Sequence, residues 1–159
     1  MRKFVPVLAA VFVMALVAPA FAAPAPKATG GVGFLGFDNT PRNAQFNAHE
    51  AKDGRPAKGM LRQTRPDTGD HFVVDVTCVD VDGIEAFFGG VVTQGTGAFA
   101  SRVGQGIYAT AEDNGEPGAA GDEFRPLFVA SEAVACAMVA SQTPLARFMV
   151  TSGNLQVHD

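Results

Sequence analysis

Apolar residues recur at every second position in several segments of the chain, which is the spacing of a half-buried β-strand and not of a helix. The clearest segment is 71–79, where Phe72, Val74, Val76 and Cys78 fall on one face. Segment 43–50 alternates Ala or Phe with polar residues. Further strands are predicted at 33–37, 60–63, 84–92, 106–111, 124–130, 148–150 and 154–157.

Turn-forming residues divide and shape these segments. Asp82-Gly83 suits a tight hairpin turn, and Gly89-Gly90 favours a bulge or a bend toward barrel closure. Pro126 lacks the N–H that a ladder needs, which predicts an edge position for its strand. About eight short strands with frequent turns predict an all-β domain, either a β-sandwich or a small, partly open β-barrel.

One segment, 131–141, has helical character. Ser131 can cap its N-terminus, and Glu132 suits the positive end of the helix dipole. Val134 and Met138 lie four residues apart, on one helical face. We therefore predict a single short helix near residues 131–141.

The N-terminus has the pattern of a secretion signal. Arg2 and Lys3 precede an apolar stretch that ends in small residues suited to cleavage, and a retained membrane anchor is the alternative. We predict a signal peptide at 1–22, a flexible Pro/Ala-rich leader at 23–31 and a single β-rich domain at 32–159. The mature protein is expected to be secreted or periplasmic, with no membrane span after cleavage.

The two cysteines, Cys78 and Cys136, are 58 positions apart. In an oxidising compartment such a pair usually forms a disulfide bond, although two buried free thiols are the alternative. The sequence contains no Cys/His cluster of the kind that binds zinc.

The charge balance is acidic, with 12 basic and 16 acidic residues. Removal of Arg2 and Lys3 with the signal leaves ten basic residues and a net charge near −6. Nucleic acids and anionic membranes both require a positive protein surface, so neither is an expected partner. A partner in the cell envelope or outside the cell is expected instead.

The most unusual segment is the acidic loop, residues 112–123 (EDNGEPGAAGDE), which holds five carboxylates. Calcium takes its ligands from carboxylate and carbonyl oxygens, and glycines let carbonyls turn inward. A calcium site would use Asp113, Asn114, Glu116 and Asp122. The alternative is a solvated hairpin connection in which Asn-Gly and Pro-Gly supply the turn geometry. No other cofactor is predicted.

No catalytic motif can be recognised, because the three histidines, His49, His71 and His158, are scattered and no nucleophile elbow occurs. No catalytic residue is predicted, and we lean toward a protein that is not an enzyme. One alternative is a secreted hydrolase, which requires a pocket where a His and a carboxylate converge. The other is a small barrel carrying an apolar ligand, which requires a Phe-lined cavity of at least about 300 Å³.

Four segments together carry a resemblance to known proteins. They are 76–78 (VTC), 83–90 (GIEAFFGG), 113–118 (DNGEPG) with the later 122–124 (DEF), and 153–158 (GNLQVH). In these segments, the chain resembles a group of small exported bacterial β-rich proteins of uncharacterised function. The resemblance covers about residues 59–159, and segments 113–118 and 153–159 are its most specific parts.

This resemblance implies export, an all-β domain and pairing of Cys78 with Cys136, but it implies no activity. It also directs attention to residues 113–118 and to His158. The function expected from the sequence is that of an exported, non-enzymatic binding or structural domain of the cell envelope or extracellular space, stabilised by calcium if the acidic loop binds it.

Overall fold

Within residues 23–115 and 121–159, which the computed structural model describes, eight antiparallel strands follow one another around a closed barrel. The predicted signal peptide (1–22) and Glu116 lie outside these residues. The strands are β1 (Lys27–Leu35), β2 (Pro41–His49), β3 (Lys58–Thr64), β4 (His71–Asp82), β5 (Glu85–Gly95), β6 (Gly106–Glu112), β7 (Glu123–Val129) and β8 (Phe148–His158). The predicted all-β class is confirmed. Of the two predicted architectures the barrel is present, and it is closed because β1 pairs with both β2 and β8.

Strand β1 begins earlier than the sequence indicates, since it starts at Lys27, inside the segment 23–31 that was expected to be a flexible leader. Its first inward positions, Ala28 and Gly30, carry small residues, and Ala28 is fully buried. A Cβ on Gly30 would lie 2.7 Å from the ring of Phe46, so the missing side chain makes room for that ring. An Ala- and Gly-rich strand of this kind has little hydrophobic signal of its own.

Strand β4 contains a bulge that its alternating pattern does not reveal. Phe72 and Val76 face the core as predicted, but the register with β5 slips between Val76 and Cys78. Cys78 therefore packs on the outer side of the barrel, and Val79 enters the core instead. The expectation that Cys78 shares a face with Phe72 is wrong, because a bulge shifts the side-chain alternation by one residue.

The sequence predicts a bulge or a bend at Gly89-Gly90 of β5; the structure places the extra residue of the bulge in β4, directly opposite this glycine pair. A Cβ on Gly90 would lie 1.9 Å from the carbonyl oxygen of Asp75, so only glycine allows the two strands to approach here. The β4–β5 hairpin turns at Gly83 and Ile84, with Gly83 at φ +59°. Positive φ at the first central residue matches a type II′ turn, which suits the twist of paired strands.

Strand β8 is continuous from Phe148 to His158, whereas the sequence predicts two strands joined at Ser152-Gly153. The chain stays in the sheet because Gly153 adopts φ +97° and approaches Gly31 closely. The pairing with β1 shifts register next to Gly33, so the interruption read from the sequence is an irregularity within one strand.

Stacked aromatic rings fill the barrel interior. The ring of Phe46 lies 5.2 Å from that of Phe88 and 5.1 Å from that of Phe124, measured between centroids. All three residues are buried, together with Leu61, Val74 and Ile107. Rings at these separations attract one another in addition to excluding water.

The predicted helix is confirmed as α1 (Glu132–Ala140), which packs on the outside of the barrel. Ser131 caps it by accepting a hydrogen bond from the backbone N–H of Val134, at 3.4 Å. The predicted disulfide is also present and joins Cys136 of the helix to Cys78 of β4. Among the described residues, no helix has the length and apolar character to cross a membrane.

The barrel closes weakly between β7 and β8. β7 pairs with β6 along its whole length, but only Glu123 and Phe124 pair with β8. Pro126 lies in the part of β7 that has no partner in β8, which agrees with its predicted edge position. This gap in the wall of the barrel positions the candidate site.

Candidate functional site

The acidic loop connects β6 to β7, and its second carboxylate, that of Asp113, binds backbone N–H groups. Asp113 Oδ1 accepts a hydrogen bond from the N–H of Gly115 at 2.9 Å, and its Oδ2 accepts one from the N–H of Val157 at 3.0 Å. Asp113 therefore both shapes the start of the loop and ties it to the end of β8.

Two further predicted calcium ligands, Asn114 and Asp122, contact each other in the same loop. Asp122 is fully buried, and its Oδ1 accepts a hydrogen bond from the N–H of Asn114 at 3.1 Å. The side chain of Asn114 donates to the carbonyl oxygen of Gly121 at 2.7 Å, which closes the loop at its base. The structure thus brings Asp113, Asn114 and Asp122 to one loop, while the predicted ligand Glu116 is not among the described residues.

These contacts agree with a hairpin connection, and calcium binding by the loop stays a prediction. In the part of the chain that the structure describes, no three His, Cys, Asp or Glu side chains are arranged to hold a metal ion. The carboxylates of Asp113 and Asp122 accept backbone hydrogen bonds instead, which stabilises the loop without an ion.

The three histidines do not meet. His49 and His158 lie on either side of Lys27 at one end of the barrel. His71 lies at the other end, next to Thr64, and its Nδ1 is 3.2 Å from Thr96 Oγ1. A site that uses all three side chains is therefore not formed.

A charged cleft of about 530 Å³ lies at the His49 end of the barrel, lined by His49, Glu50, Lys52 and residues 23–25 among others. Burial raises the pKa of Glu50. Among the described residues, no hydrogen bond or ion pair joins His49 to Glu50, and none of those that line this cleft is a Ser, Thr or Cys nucleophile. It lacks the oriented His–carboxylate pair that the hydrolase alternative needs.

A second cleft, here called the aromatic cleft, lies at the gap between β7 and β8. Its volume is about 330 Å³, and its lining includes Phe34, Phe37, Arg42, Gln63, Phe128 and Phe148. β1 and the turn after it form one wall, and the unpaired part of β7 forms the other.

Phenylalanine rings form the apolar surface of the aromatic cleft. The ring of Phe148 stacks on that of Phe34 at 5.6 Å and meets that of Phe37 edge-on at 4.7 Å. Phe37 is 77% exposed, which is unusual for a large apolar side chain. The guanidinium of Arg125 lies 4.2 Å from the centroid of Phe37, and that of Arg102 lies 4.9 Å from the centroid of Phe128.

Two polar side chains lie at the base of the aromatic cleft with unused hydrogen-bonding atoms. Arg42 Nη2 pairs with Asp38 Oδ2 at 2.8 Å, but its buried Nη1 has no hydrogen-bond partner among the described residues. Gln63 is 6% exposed, and its Oε1 is likewise buried without a partner there. A buried polar atom without a partner costs about 1–3 kcal/mol, so such atoms are rare in folded proteins.

The sequence contained a signal for this cleft. Arg42 precedes Ala44, Phe46 and Ala48 at the same period of two, so a charged residue stands in the phase of the buried face. Gln63 follows Leu61 in the same way on β3. These two polar residues in the phase of the buried face lie at the end of the barrel where the aromatic cleft opens.

Comparison with protein-family models, with curated proteins and with solved structures finds no significant match to this chain. The fold and the site therefore define its class directly. It is a closed, antiparallel, eight-stranded barrel that carries a disulfide-linked outer helix and an open aromatic cleft.

Proposed function

We propose that this chain is an exported, non-enzymatic binding domain that acts in the cell envelope or outside the cell, and that the aromatic cleft is its ligand site. One observation carries the proposal: Phe34, Phe37 and Phe148 form an aromatic surface in an open cleft, and Phe37 is 77% exposed there. Aromatic surface exposed to water is stabilised when a ligand covers it.

The size and composition of the cleft support binding. Ligand sites are usually concave, largely apolar and furnished with a few placed polar groups, with volumes of about 300–1,000 Å³. The aromatic cleft, at about 330 Å³, falls at the lower end of that range. Aromatic and arginine side chains, such as the exposed Phe37 and the half-buried Arg125 that stacks on it, are also the residue types that dominate binding energy at interfaces.

The chemistry of the lining supports binding over catalysis. Its carboxylate, Asp38, is held by Arg42 and by the hydroxyl of Thr40, which donates to Asp38 Oδ1 at 2.7 Å. The Thr40 hydrogen bond, more than any other contact, lowers the pKa of Asp38. An acid held ionised in this way is poorly suited to donate a proton. Among the described residues that line the cleft there is no His, Ser or Cys.

The same Phe lining favours the alternative of a barrel that carries an apolar ligand, but it places that ligand at the mouth of the barrel and not in its centre. The centre is occupied by the stacked rings of Phe46, Phe88 and Phe124. An apolar ligand would therefore lie in the open cleft and not inside the barrel.

Export rests on the N-terminal pattern and on the disulfide, because disulfides persist mainly in oxidising compartments. The resemblance to small exported bacterial β-rich proteins points in the same direction. Stabilisation by calcium through the acidic loop is a further part of the proposal, and it is tested separately from the aromatic cleft.

A screen of phenyl-containing fragments by ligand-observed NMR on the mature, oxidised protein tests the binding function. We expect binding fragments whose signals are lost in Phe37→Ala, an exposed position where the substitution leaves the core intact. Ile84→Ala is the matched control, because Ile84 is also an exposed apolar residue (52%) but lies in the β4–β5 turn. The proposal fails if no fragment binds, or if binding survives Phe37→Ala.

A further inference from the structure

We infer that the ligand of the aromatic cleft is an apolar monocarboxylate, a molecule that places an aromatic or aliphatic group on the phenylalanine rings and its carboxylate on the arginines that stack there. This inference rests on the proposed binding function and specifies the charge of its ligand. It is carried by arginines that lack a counter-charge, by the reach of their N–H groups and by the charge balance at this end of the barrel.

Guanidinium groups cover several of the rings that line the aromatic cleft. That of Arg125 lies 4.2 Å from the centroid of Phe37 and 5.3 Å from that of Phe148. That of Arg102 lies 4.9 Å from the centroid of Phe128. A planar guanidinium stacks through its face, while its N–H donors lie in its plane and point outward. The cleft therefore has cations fixed beside its apolar surface.

Neither of these arginines has an acidic partner among the described residues. Arg125 Nη1 donates to the carbonyl oxygen of Ala146, and Arg102 Nη1 donates to Gln105 Oε1, so both acceptors are neutral. Glu123, the nearest acid along β7, forms no ion pair with Arg125. Burial lowers the pKa of Arg125, because the guanidinium is partly removed from water with no carboxylate to compensate. A cation held in this way is stabilised when an anion binds it.

Unused N–H groups of these arginines can be reached by a ligand. Arg125 Nε is enclosed, but Nη2 of the same side chain is neither enclosed nor hydrogen-bonded to any described residue. Arg102 is an exposed residue. Phe37, on which Arg125 stacks, is also largely exposed, so a ligand that lies on this ring is next to the edge of the guanidinium. A carboxylate forms stronger hydrogen bonds with such a cation than a neutral oxygen does.

The remaining charges at this end of the barrel largely compensate each other. Two ion pairs neutralise their own members, Arg42 with Asp38 and Arg65 with Asp67, each at 2.8 Å. Asp70 accepts a hydrogen bond from the N–H of Ala98, in the short 3₁₀ helix Gly97–Arg102, and so offsets part of the charge of Arg102. Arg125 is left without compensation. A ligand with one negative charge offsets it, whereas a dianionic phosphate would place a surplus charge beside Asp38.

The Phe walls determine the apolar part of the ligand. Phe34, Phe37 and Phe148 form a continuous aromatic surface. An aromatic or aliphatic group placed against these rings is removed from water and gains aromatic contacts. At about 330 Å³, the cleft suits one such group with its carboxylate. This chemistry occurs both in small aromatic acids and at the C-terminus of a peptide that ends in an apolar residue.

Three probes with the same phenyl-propyl skeleton and different charges test the inference on the mature, oxidised protein: hydrocinnamate, hydrocinnamyl alcohol and 3-phenylpropylamine. We expect NMR titration to show that hydrocinnamate binds about fivefold or more tightly than the alcohol. The amine should bind most weakly, although the acidic chain as a whole favours a cation. The advantage of hydrocinnamate should shrink when the ionic strength rises from about 0.01 M to about 1 M.

The outcomes separate the inference from the proposed function. Equal or tighter binding of the alcohol or the amine overturns the carboxylate inference, while the proposed function survives. If no probe binds, both fail. N-acetylphenylalanine, which has the carboxylate and amide of a peptide C-terminus, distinguishes the two sources of the ligand. Tighter binding than hydrocinnamate supports a peptide C-terminus, and weaker binding supports a small aromatic acid.

Arg125→Gln tests the main anchor. Gln removes the charge but can still donate to the carbonyl oxygen of Ala146, so the preference for hydrocinnamate over the alcohol should fall to less than about twofold. Arg62→Gln is the matched control, because Arg62 is an exposed arginine on β3 that has no ion pair among the described residues. A carboxylate preference that survives Arg125→Gln, or that is lost in Arg62→Gln, overturns the assignment.

Arg102→Gln provides a second test at an exposed position, where a substitution does not disturb the core. It should lower the affinity for hydrocinnamate about twofold and leave that for the alcohol unchanged. This variant decides the question if Arg125→Gln does not fold, and an unchanged affinity for hydrocinnamate would then overturn the inference.

Discussion

Glu85 and Glu112 face each other directly across β5 and β6. Two like charges at facing positions destabilise a sheet. Here the guanidinium of Arg147 binds both, with Nη2 on Glu85 Oε1 and Nη1 on Glu112 Oε2. The side chain of Arg147 is only 10% exposed, so the segment between α1 and β8 is fixed to the barrel by a largely buried charge cluster.

Arg147→Met should destabilise the protein because it leaves the two glutamates facing each other without a counter-charge. Breaking a buried ion pair from one side costs about 3–5 kcal/mol, and the partial exposure of Glu85 reduces the expected loss to about 1–3 kcal/mol. Urea denaturation measures the free energy of unfolding. Adding Glu85→Gln to Arg147→Met should recover part of the loss.

Arg65→Met is the matched control for this prediction. Arg65 also pairs with a carboxylate, that of Asp67, but both side chains are at the surface, where ion pairs contribute little. A loss for Arg65→Met as large as that for Arg147→Met would mean that the arginine cluster has no special role.

The disulfide should contribute substantially to stability because it closes a long segment of chain. The double substitution Cys78→Ala/Cys136→Ala should lower the free energy of unfolding by about 4 kcal/mol, the value the chain-entropy model gives for a loop closed over 58 positions. Urea denaturation with and without a reductant measures the effect. The reductant should destabilise the natural protein and leave the variant unchanged; a natural protein that does not respond to full reduction would contradict the prediction.

Calcium binding by the acidic loop predicts a calcium-dependent melting temperature. A ligand at a hundred times its dissociation constant stabilises the native state by about 2.7 kcal/mol, which raises the midpoint of a domain of this size by several degrees. The measurement compares melts in excess calcium and in EDTA. Superimposed melts would remove the calcium proposal and leave the loop as a hairpin connection.

Two variants separate the metal from the hydrogen bonds of the loop. Asp113→Ala removes the acceptors for the N–H groups of Gly115 and Val157, so it should lower the melting temperature even in EDTA. Glu116→Gln removes a predicted ligand charge while leaving the described hydrogen bonds of the loop in place. If the loop binds calcium, Glu116→Gln should reduce the calcium-dependent rise in melting temperature and leave the melting temperature in EDTA unchanged.

The sequence predicted the parts of the fold that depend on local pattern. Alternation in β2 and in the first half of β4, and the capping Ser131, are local features, and each reports on its own element. The outward position of Cys78 depends on a bulge in the pairing of two strands, which no single strand contains. The pairing of Cys78 with Cys136 was predicted all the same, because it follows from compartment and cysteine count.

The candidate site is harder to predict from the sequence than the fold, because it depends on how the barrel closes. The aromatic cleft exists because β8 starts opposite Phe124 and leaves the rest of β7 unpaired. Its lining comes from segments as distant as Phe34 and Phe148. The acidic loop, by contrast, is contiguous, and for that reason it attracted attention first although its described contacts are within the fold.

Tyr108 is fully buried, and its hydroxyl donates a hydrogen bond to the carbonyl oxygen of Thr143 at 2.6 Å. Burial raises the pKa of Tyr108 to about 12, an effect that Arg147 opposes and Glu85 reinforces. The folded state therefore favours the neutral phenol more strongly than the unfolded chain does. The stability that follows is complete below about pH 10 and is lost as the pH rises toward 12.

The free energy of unfolding should consequently fall by no more than about 2 kcal/mol between pH 9 and 12 through this one group. Tyr108 is the only tyrosine in the chain, so absorbance of the tyrosinate reports its ionisation directly in the folded protein. Tyr108→Phe should remove this part of the alkaline loss and cost about 1 kcal/mol at neutral pH, because Thr143 loses its donor. Lysines also titrate in this range, and the variant serves as the reference that subtracts them. A tyrosinate signal with a midpoint near 10 in the folded protein would contradict the prediction.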